Sequence, residues 1–139
     1  MKFAMLVLCC MVLLTGCGAP ARPIMTEEQA SENARKLVDH LSETLRLNFQ
    51  GTSWYPLIER VEVSVDRSGT FSVNARTAIF PDGDAPRVAG NISAALMSWA
   101  LTVEEKTPLK LQHLQVFGRR GDTEALLRSW SSLFGWKDH

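Results

Sequence analysis

The chain has 139 residues, of which 15 are basic and 15 are acidic, so its formal net charge is zero. This balance argues against a nucleic-acid-binding protein, which needs a basic surface to neutralise the phosphates of its ligand. Apolar residues make up 45% of the chain, which is typical of a folded domain, and the length is enough for one domain with a hydrophobic core.

The first residues have the pattern of a secretion signal. Lys2 supplies a positive charge, and residues 3–14 form an unbroken run of twelve apolar side chains. A membrane-spanning helix needs about 20 apolar residues, whereas a short apolar run behind a positive charge is typical of a signal peptide. We therefore predict that residues 1–16 are a signal peptide that is removed from the mature protein.

The apolar run ends in the sequence Leu14-Thr15-Gly16-Cys17. This sequence resembles the lipobox of bacterial lipoproteins, in which a diacylglyceryl group is attached to the cysteine and the signal peptide is cleaved directly before it. The resemblance implies that Cys17 is lipidated and that the bond between Gly16 and Cys17 is cut. The alternatives are an uncleaved apolar N-terminus and an ordinary secretory peptide in which Cys17 is incidental.

A lipid anchor would place the protein on the extracytoplasmic side of a bacterial cell membrane, since two or more acyl chains hold a protein stably. Cys9 and Cys10 lie in the segment predicted to be removed, which leaves Cys17 with its sulfur bonded to lipid. The mature chain is therefore expected to have no disulfide and no cysteine metal site. Residues 17–25, which contain Pro20 and Pro23, are predicted to form a lipidated tether, and residues 26–139 a single domain.

Two amphipathic helices are predicted in this domain. The first covers residues 26–48 and begins with a capping box formed by Thr26 and Gln29. The second follows Asp84, the predicted N-cap, and ends before Pro108. Each helix has one apolar stripe at helical spacing: Ala30, Ala34, Leu37, Val38, Leu41 and Leu45 in the first, and Val88, Ile92, Ala95, Leu96, Trp99 and Val103 in the second.

Strands are predicted from alternating apolar and polar residues. Residues 58–65 and 70–80 form a hairpin with one buried and one solvated face. Residues 109–117 form a third strand, in which a bulge near Gln112 and His113 corrects a break in the alternation. Residues 122–134 fit either a helix from Asp122 or a fourth strand over 124–131, and we favour the strand because it would cover an open sheet edge. Residues 135–139 are expected to fray.

The predicted fold class is therefore α+β, with two amphipathic helices packed on one face of a small antiparallel sheet. The order of elements is α-β-β-α-β, followed by β rather than α.

The sequence has no recognisable catalytic or metal-binding motif, so no catalytic and no metal-ligating residue is predicted. His40, His113 and His139 are scattered and none belongs to a ligand motif. Asp82 and Asp84 lack the ligand spacing of a calcium-binding loop and are expected to serve as loop and cap residues. The aromatic pair of Trp54 and Tyr55 is expected to pack over the core edge rather than touch headgroups or a glycan.

These observations predict a membrane-anchored envelope lipoprotein that acts as a non-enzymatic binding or assembly module. Its partners would be the membrane, through the lipid, and an envelope protein or glycan; no nucleic acid is expected, and no cofactor other than the covalent lipid on Cys17. One alternative is a lipoprotein of a prophage or mobile element that excludes superinfecting DNA. Another is an envelope enzyme whose active site leaves no motif in the sequence, because triads are spatial arrangements.

Overall fold

The computed structural model describes residues 24–139. This part of the chain contains two helices, one short 3-10 turn over Tyr55–Leu57 and five strands. The helices are α1 (Glu27–Phe49) and α2 (Ala85–Lys106), and the strands are β1 (Ile58–Val65), β2 (Thr70–Thr77), β3 (Lys110–Arg120), β4 (Thr123–Ser131) and β5 (Gly135–Asp138).

The start of α1 is the one that the sequence predicts. The Gln29 backbone N–H donates to Thr26 Oγ1 at 3.1 Å, and the Thr26 N–H donates to the Gln29 side-chain oxygen at 2.9 Å. This reciprocal pair satisfies two of the backbone donors that a helix N-terminus leaves free. The capping box is therefore confirmed.

The start of α2 differs from the prediction in one respect. Asp84 occupies the N-cap position, but its side chain caps no backbone group. Both carboxylate oxygens instead accept hydrogen bonds from Arg87, at 2.9 and 2.8 Å. A bidentate pair with arginine takes up the oxygens that an N-cap would direct to the helix backbone.

The α+β class is confirmed, whereas the expectation of a wholly antiparallel sheet is wrong. The sheet order is β1-β2-β3-β4-β5. Three neighbouring pairs are antiparallel, but β2 and β3 are parallel. The reason lies in α2, which carries the chain from the end of β2 back to the end of the sheet at which β2 begins. β3 therefore starts beside the start of β2, as in a helical crossover between parallel strands.

Most local features of the strands agree with the sequence. The third strand continues to Arg120, past its predicted end at residue 117, and there are two larger exceptions. Phe71 pairs with Leu111 and Ser72 with His113, so Gln112 is the extra residue of the predicted bulge. Residues 123–131 form a strand, which confirms the preferred alternative. The second hairpin strand ends at Thr77 and not at residue 80 as predicted. Thr77 Oγ1 donates to the Phe117 carbonyl at 2.7 Å and accepts from the Ile79 N–H at 3.2 Å. These two hydrogen bonds turn the chain away from the strand direction.

The second exception is the last segment, which forms strand β5 and does not fray. Gly135 adopts φ +71°, a conformation that glycine takes at little cost, and it turns the chain back along β4. Trp136 then pairs with Trp130, and Arg128 with Asp138. Pairing with β4 therefore makes a strand of a segment whose own sequence contains no strand pattern.

One core lies between the helices and a single face of the sheet. Every second residue of β2 is buried, from Phe71 to Thr77, while the residues between them are partly exposed. Residues from both helices belong to the same buried cluster as this strand face, so the prediction that both helices pack on one face is confirmed. At its centre the rings of Phe71 and Trp99 meet edge to face, with centroids 6.2 Å apart.

The topology brings several chain segments to one end of the sheet, called here the Ile24 end. It consists of residue 24, the β1–β2 turn (66–69), the α2–β3 connection (107–109) and the β4–β5 turn (132–134). The Ile24 N–H donates to the Arg67 carbonyl at 2.9 Å, which fixes the start of the described chain against the β1–β2 turn.

Candidate binding surface

A shallow groove runs between the outer side of α2 and the β4–β5 hairpin, and we call it the β5 groove. It offers about 400 Å³ and is walled by Met97, Leu101, Arg128 and Trp136, with Gly90 and Ala94 at one end. Leu101 is 54% exposed and Trp136 40% exposed. Large apolar side chains gathered in a concave surface are typical of a site that binds a ligand or a partner.

The helix side of the groove comes from a second pattern in α2. Gly90, Ala94, Met97 and Leu101 recur at helical spacing, beside the stripe that enters the core. The first two are small and leave room, and the last two are large and apolar. A helix with one buried stripe and a second apolar stripe beside it has more apolar surface than its own core covers.

Arg128 is the charged residue among those that line the groove, and it is paired with Asp138. Its guanidinium carbon lies 4.7 Å from the centre of the Trp136 ring, and its Nη1 donates to Asp138 Oδ1 at 2.7 Å. Its Nε is buried and makes no hydrogen bond within residues 24–139. The arrangement holds a planar cation flat on an indole ring, and it leaves one donor whose desolvation is not compensated.

The groove is bordered by a free strand edge. β5 is the last strand of the sheet and pairs only with β4 among the described strands. It has four residues, which keeps the row of unpaired backbone groups short. Such an edge can accept an extended peptide as an added strand, with neighbouring pockets selecting side chains.

The opposite face of the sheet is polar and largely self-compensated. Arg76 pairs with Glu62 at 3.4 Å and with Glu124, and its guanidinium lies 4.2 Å from the centre of the Phe117 ring. Arg60 joins the same network through Glu62, at 2.7 Å. Because each of these arginines is paired with a glutamate, the described residues of this network have no excess of one charge with which to attract an ionic ligand.

The three histidines are in separate places. His40 Nδ1 accepts a hydrogen bond of 2.9 Å from the indole N–H of Trp99, a residue that is 4% exposed, so His40 satisfies a buried donor. His113 lies exposed on β3. Within residues 24–139, no three histidine, cysteine or carboxylate side chains converge as a metal site would require.

The third histidine forms a contact that sequence reasoning missed. Ser129 Oγ on β4 and His139 Nε2, directly after the end of β5, are 2.9 Å apart. Nucleophilic serines are paired with histidines in this way, but a third group then orients the imidazole. The His139 ring has no second hydrogen bond among the residues that the structure describes, and both residues lie at the surface.

Of the remaining residues singled out in the sequence, some lie within the described range and some lie outside it. Leu14, Thr15, Gly16 and Cys17 lie outside residues 24–139. Trp54 is buried, with its ring centre 5.0 Å from that of Phe49, which confirms that it packs at the core edge.

Asp82 acts as a loop residue. Its Oδ1 accepts a hydrogen bond of 3.0 Å from the Asp84 backbone N–H. The prediction that these aspartates serve as loop and cap residues is therefore confirmed for Asp82, while Asp84 takes the cap position without capping.

Comparison with protein families, curated proteins and solved structures finds no match for this chain. Among the described residues, neither helix combines the length and the apolar character that crossing a bilayer requires. The function is therefore inferred from the residues of this chain alone.

Proposed function

We propose that the protein is a lipid-anchored lipoprotein of the bacterial envelope, and that its domain binds a partner without catalysing a reaction. The observation that carries this proposal is the sequence Leu14-Thr15-Gly16-Cys17 at the end of a twelve-residue apolar run. A cysteine at this place receives a diacylglyceryl group in bacterial lipoproteins, and two acyl chains suffice for stable anchoring.

The β5 groove supports the binding part of the proposal. Leu101 and Trp136 are large, apolar and exposed at the groove wall, and Arg128 provides a fixed cation on the Trp136 ring. Aromatic and arginine side chains are those most enriched at the energetic centres of protein interfaces. An extended segment of an envelope protein, with an apolar side chain for the groove, is the partner that these groups fit best.

The anchor is tested by replacing the cysteine and following the protein in fractionated cells. Cys17→Ala should abolish both the diacylglyceryl mass on the mature N-terminus and cleavage at Gly16, leaving a precursor of larger mass. Cys10→Ala is the matched control, because it also removes a cysteine but lies within the predicted signal peptide. If the Cys17→Ala protein still sediments with membranes at the mature size, the proposal is wrong.

The partner is tested by photo-crosslinking in intact cells, with the photoreactive group placed at residue 101. The matched control is residue 47, since Leu47 is also an exposed leucine on a helix but lies on α1, away from the groove. A discrete adduct from residue 101 alone, lost in the Trp136→Ser variant, is the expected result. Equal labelling from both positions, or no adduct from residue 101, would contradict binding at the groove.

The two alternatives from the sequence lead to different outcomes. A lipoprotein that excludes superinfecting phage DNA would have the same anchor, but cells lacking it would become sensitive to a related phage. An envelope enzyme that used the one serine–histidine contact of the described residues would lose its activity on replacement of Ser129 or His139.

A further inference from the structure

The most exposed large apolar side chains of the described residues lie together at the tip of the β4–β5 turn. Leu133 is 82% exposed and Phe134 88% exposed. The turn is well formed, since the Phe134 N–H donates to Ser131 Oγ at 3.1 Å and the Ser132 N–H to the Gln112 carbonyl at 3.1 Å. A rigid turn therefore holds two apolar side chains out into solvent, which costs free energy unless something covers them.

This turn lies at the Ile24 end of the sheet, where the domain begins. The Ile24 N–H is bonded to the Arg67 carbonyl at 2.9 Å, and the Lys110 N–H to the Gly69 carbonyl at 2.9 Å. These bonds place residue 24 at the β1–β2 turn, next to the start of β3. Neighbouring strands are about 4.8 Å apart, so the β4–β5 turn lies roughly 15 Å from the β1–β2 turn along the same end.

The opposite end of the sheet has no comparable tip among the described residues. Its exposed aromatic residue is Phe80, and the Arg120 guanidinium carbon lies 5.1 Å from the centre of the Phe80 ring. Asp82, Asp84 and Asp122 lie exposed at the same end. The two ends of the sheet therefore differ in their apolar side chains, because the pair of strongly exposed residues Leu133 and Phe134 lies at the Ile24 end.

The occupant of the tip follows from the length of the tether, and this step rests on the proposed lipidation of Cys17. Six residues lie between Cys17 and Ile24, and the seven Cα–Cα steps that join them, at about 3.5 Å each, span at most roughly 25 Å. The Ile24 end therefore stays within that distance of the bilayer that holds the lipid. A lipid surface is thus the apolar phase within constant reach of Leu133 and Phe134.

We propose that the Ile24 end rests on the bilayer and that Leu133 and Phe134 insert into its interface as a second point of attachment. The charge at this end is mixed, with Arg67 and Lys110 against Glu27 and Asp66. Insertion therefore depends on the apolar side chains and not on anionic lipid. Two attachment points fix the direction of the domain, so that β5 and its groove begin at the membrane surface and lead away from it.

The experiment uses the full-length, lipidated protein reconstituted into phosphatidylcholine vesicles that contain spin-labelled lipid. Ser132→Cys introduces a thiol for an environment-sensitive dye, because the sulfur of Cys17 is bonded to lipid. Asp122→Cys is the matched position in the turn at the opposite end. We expect the dye at residue 132 to be quenched several-fold more strongly than the dye at residue 122.

A second pair of variants separates insertion from mere proximity. In the Ser132→Cys background, Leu133→Ser with Phe134→Ser should shift the inserted orientation toward the released one by roughly tenfold per side chain. Phe80→Ser is the control, because it removes an exposed aromatic ring at the other end. Both changes affect exposed side chains, so the fold should persist, and circular dichroism checks this.

The outcomes distinguish this inference from the proposed function. If the protein floats with vesicles and carries lipid by mass, but residues 132 and 122 are quenched equally, membrane seating is wrong while lipidation stands. If quenching is unchanged by the double serine variant, insertion is likewise wrong. If the chain carries no lipid, the proposed function fails, and the inference survives only if flotation and quenching at residue 132 persist. A protein crosslinked to residue 134 in cells, without quenching in vesicles, would assign the tip to a protein partner and overturn the inference.

Discussion

The two lateral halves of the sheet, the one that begins with β1 and the one that ends with β5, differ in how completely their polar side chains are hydrogen-bonded and their apolar side chains are buried. Around α1, β1 and β2, the indole N–H of Trp99 on α2 donates to His40 on α1, and Arg76 on β2 is paired with Glu62 on β1 and with Glu124 on β4. On the β5 side, Trp136 is partly exposed, and Arg128 is paired with Asp138 through Nη1 while its Nε has no partner among the described residues. The first side is organised for stability, and the second retains the unsatisfied groups that a binding surface needs.

The largest effect should come from comparing one residue type on the two sides. Phe71→Ala removes a ring that is 1% exposed and packed on Trp99, so we expect a loss of about 3–5 kcal/mol in the free energy of unfolding. Phe134→Ala, at the exposed turn, should change it by less than about 0.5 kcal/mol. Urea denaturation measures both, and similar losses would erase the distinction between the two sides.

A pair of glycine variants tests how tightly the middle of the sheet and the β5 groove are packed. A methyl group on Gly118 would meet the Ile79 carbonyl oxygen, and it would lie 2.8 Å from Leu127 Cδ1. Gly118→Ala should therefore destabilise the protein by about 1–3 kcal/mol.

Gly90 borders the β5 groove and has open space around it. Gly90→Ala should stabilise α2 by about 0.5–1 kcal/mol, because alanine loses less backbone entropy on folding. Thermal denaturation of both variants gives the sign of each change. Destabilisation by Gly90→Ala would show that the groove is more closely packed than the structure has it.

His40 tests whether the α1 side depends on its polar match. His40→Phe leaves the buried Trp99 N–H without its acceptor, and we expect a loss of about 1–3 kcal/mol. His40→Gln keeps an acceptor and should lose less. His113→Phe, at an exposed position of β3, should stay within about 0.5 kcal/mol, and an equal loss for His40 and His113 in denaturation would refute the assigned role.

The smallest effect concerns the exposed ion pairs of α1. Hydrogen bonds from Arg46 lower the pKa of Glu43 below its ordinary value of 4.5, and those from Arg35 do the same for Glu32. A lowered folded-state pKa means that the unfolded chain takes up protons first as the pH falls, so this contribution is present above about pH 4.5 and is lost below it.

Replacing Glu32 and Glu43 by glutamine should therefore reduce the difference in stability between about pH 7 and about pH 3.5. The change should be slight, since both carboxylates are exposed to water and their pairs are screened. A steeper pH dependence in the double variant than in the parent, measured by urea denaturation, would show that the sign is wrong.

The sequence predicts those elements whose signals are local. The capping box of Thr26 and Gln29, the alternation in residues 58–65 and the bulge at Gln112 each depend on neighbours within a few residues. These features were found because backbone hydrogen bonding and side-chain periodicity constrain short segments directly.

The features that were missed depend on distant partners. The parallel pairing of β2 with β3 follows from the path of α2, and the residues of the two strands do not indicate in which direction they pair. Trp136 belongs to a segment without alternating apolar residues, and this segment forms a strand because it pairs with β4, where Trp136 lies opposite Trp130. The β5 groove was missed for the same reason, because the second apolar stripe of α2 forms a groove only together with the β4–β5 hairpin beside it.

The parallel seam between β2 and β3 also has a consequence for how the chain folds. The β1–β2 hairpin and the β3–β4–β5 meander pair residues that are near in sequence, whereas the seam joins Thr70 to Lys110. Closing this long connection has an entropic cost that local pairs do not have, so the seam is expected to set the folding rate. Until β3 pairs with it, β2 has one edge without a partner, and at that edge the folding chain is most open to pairing with a wrong strand.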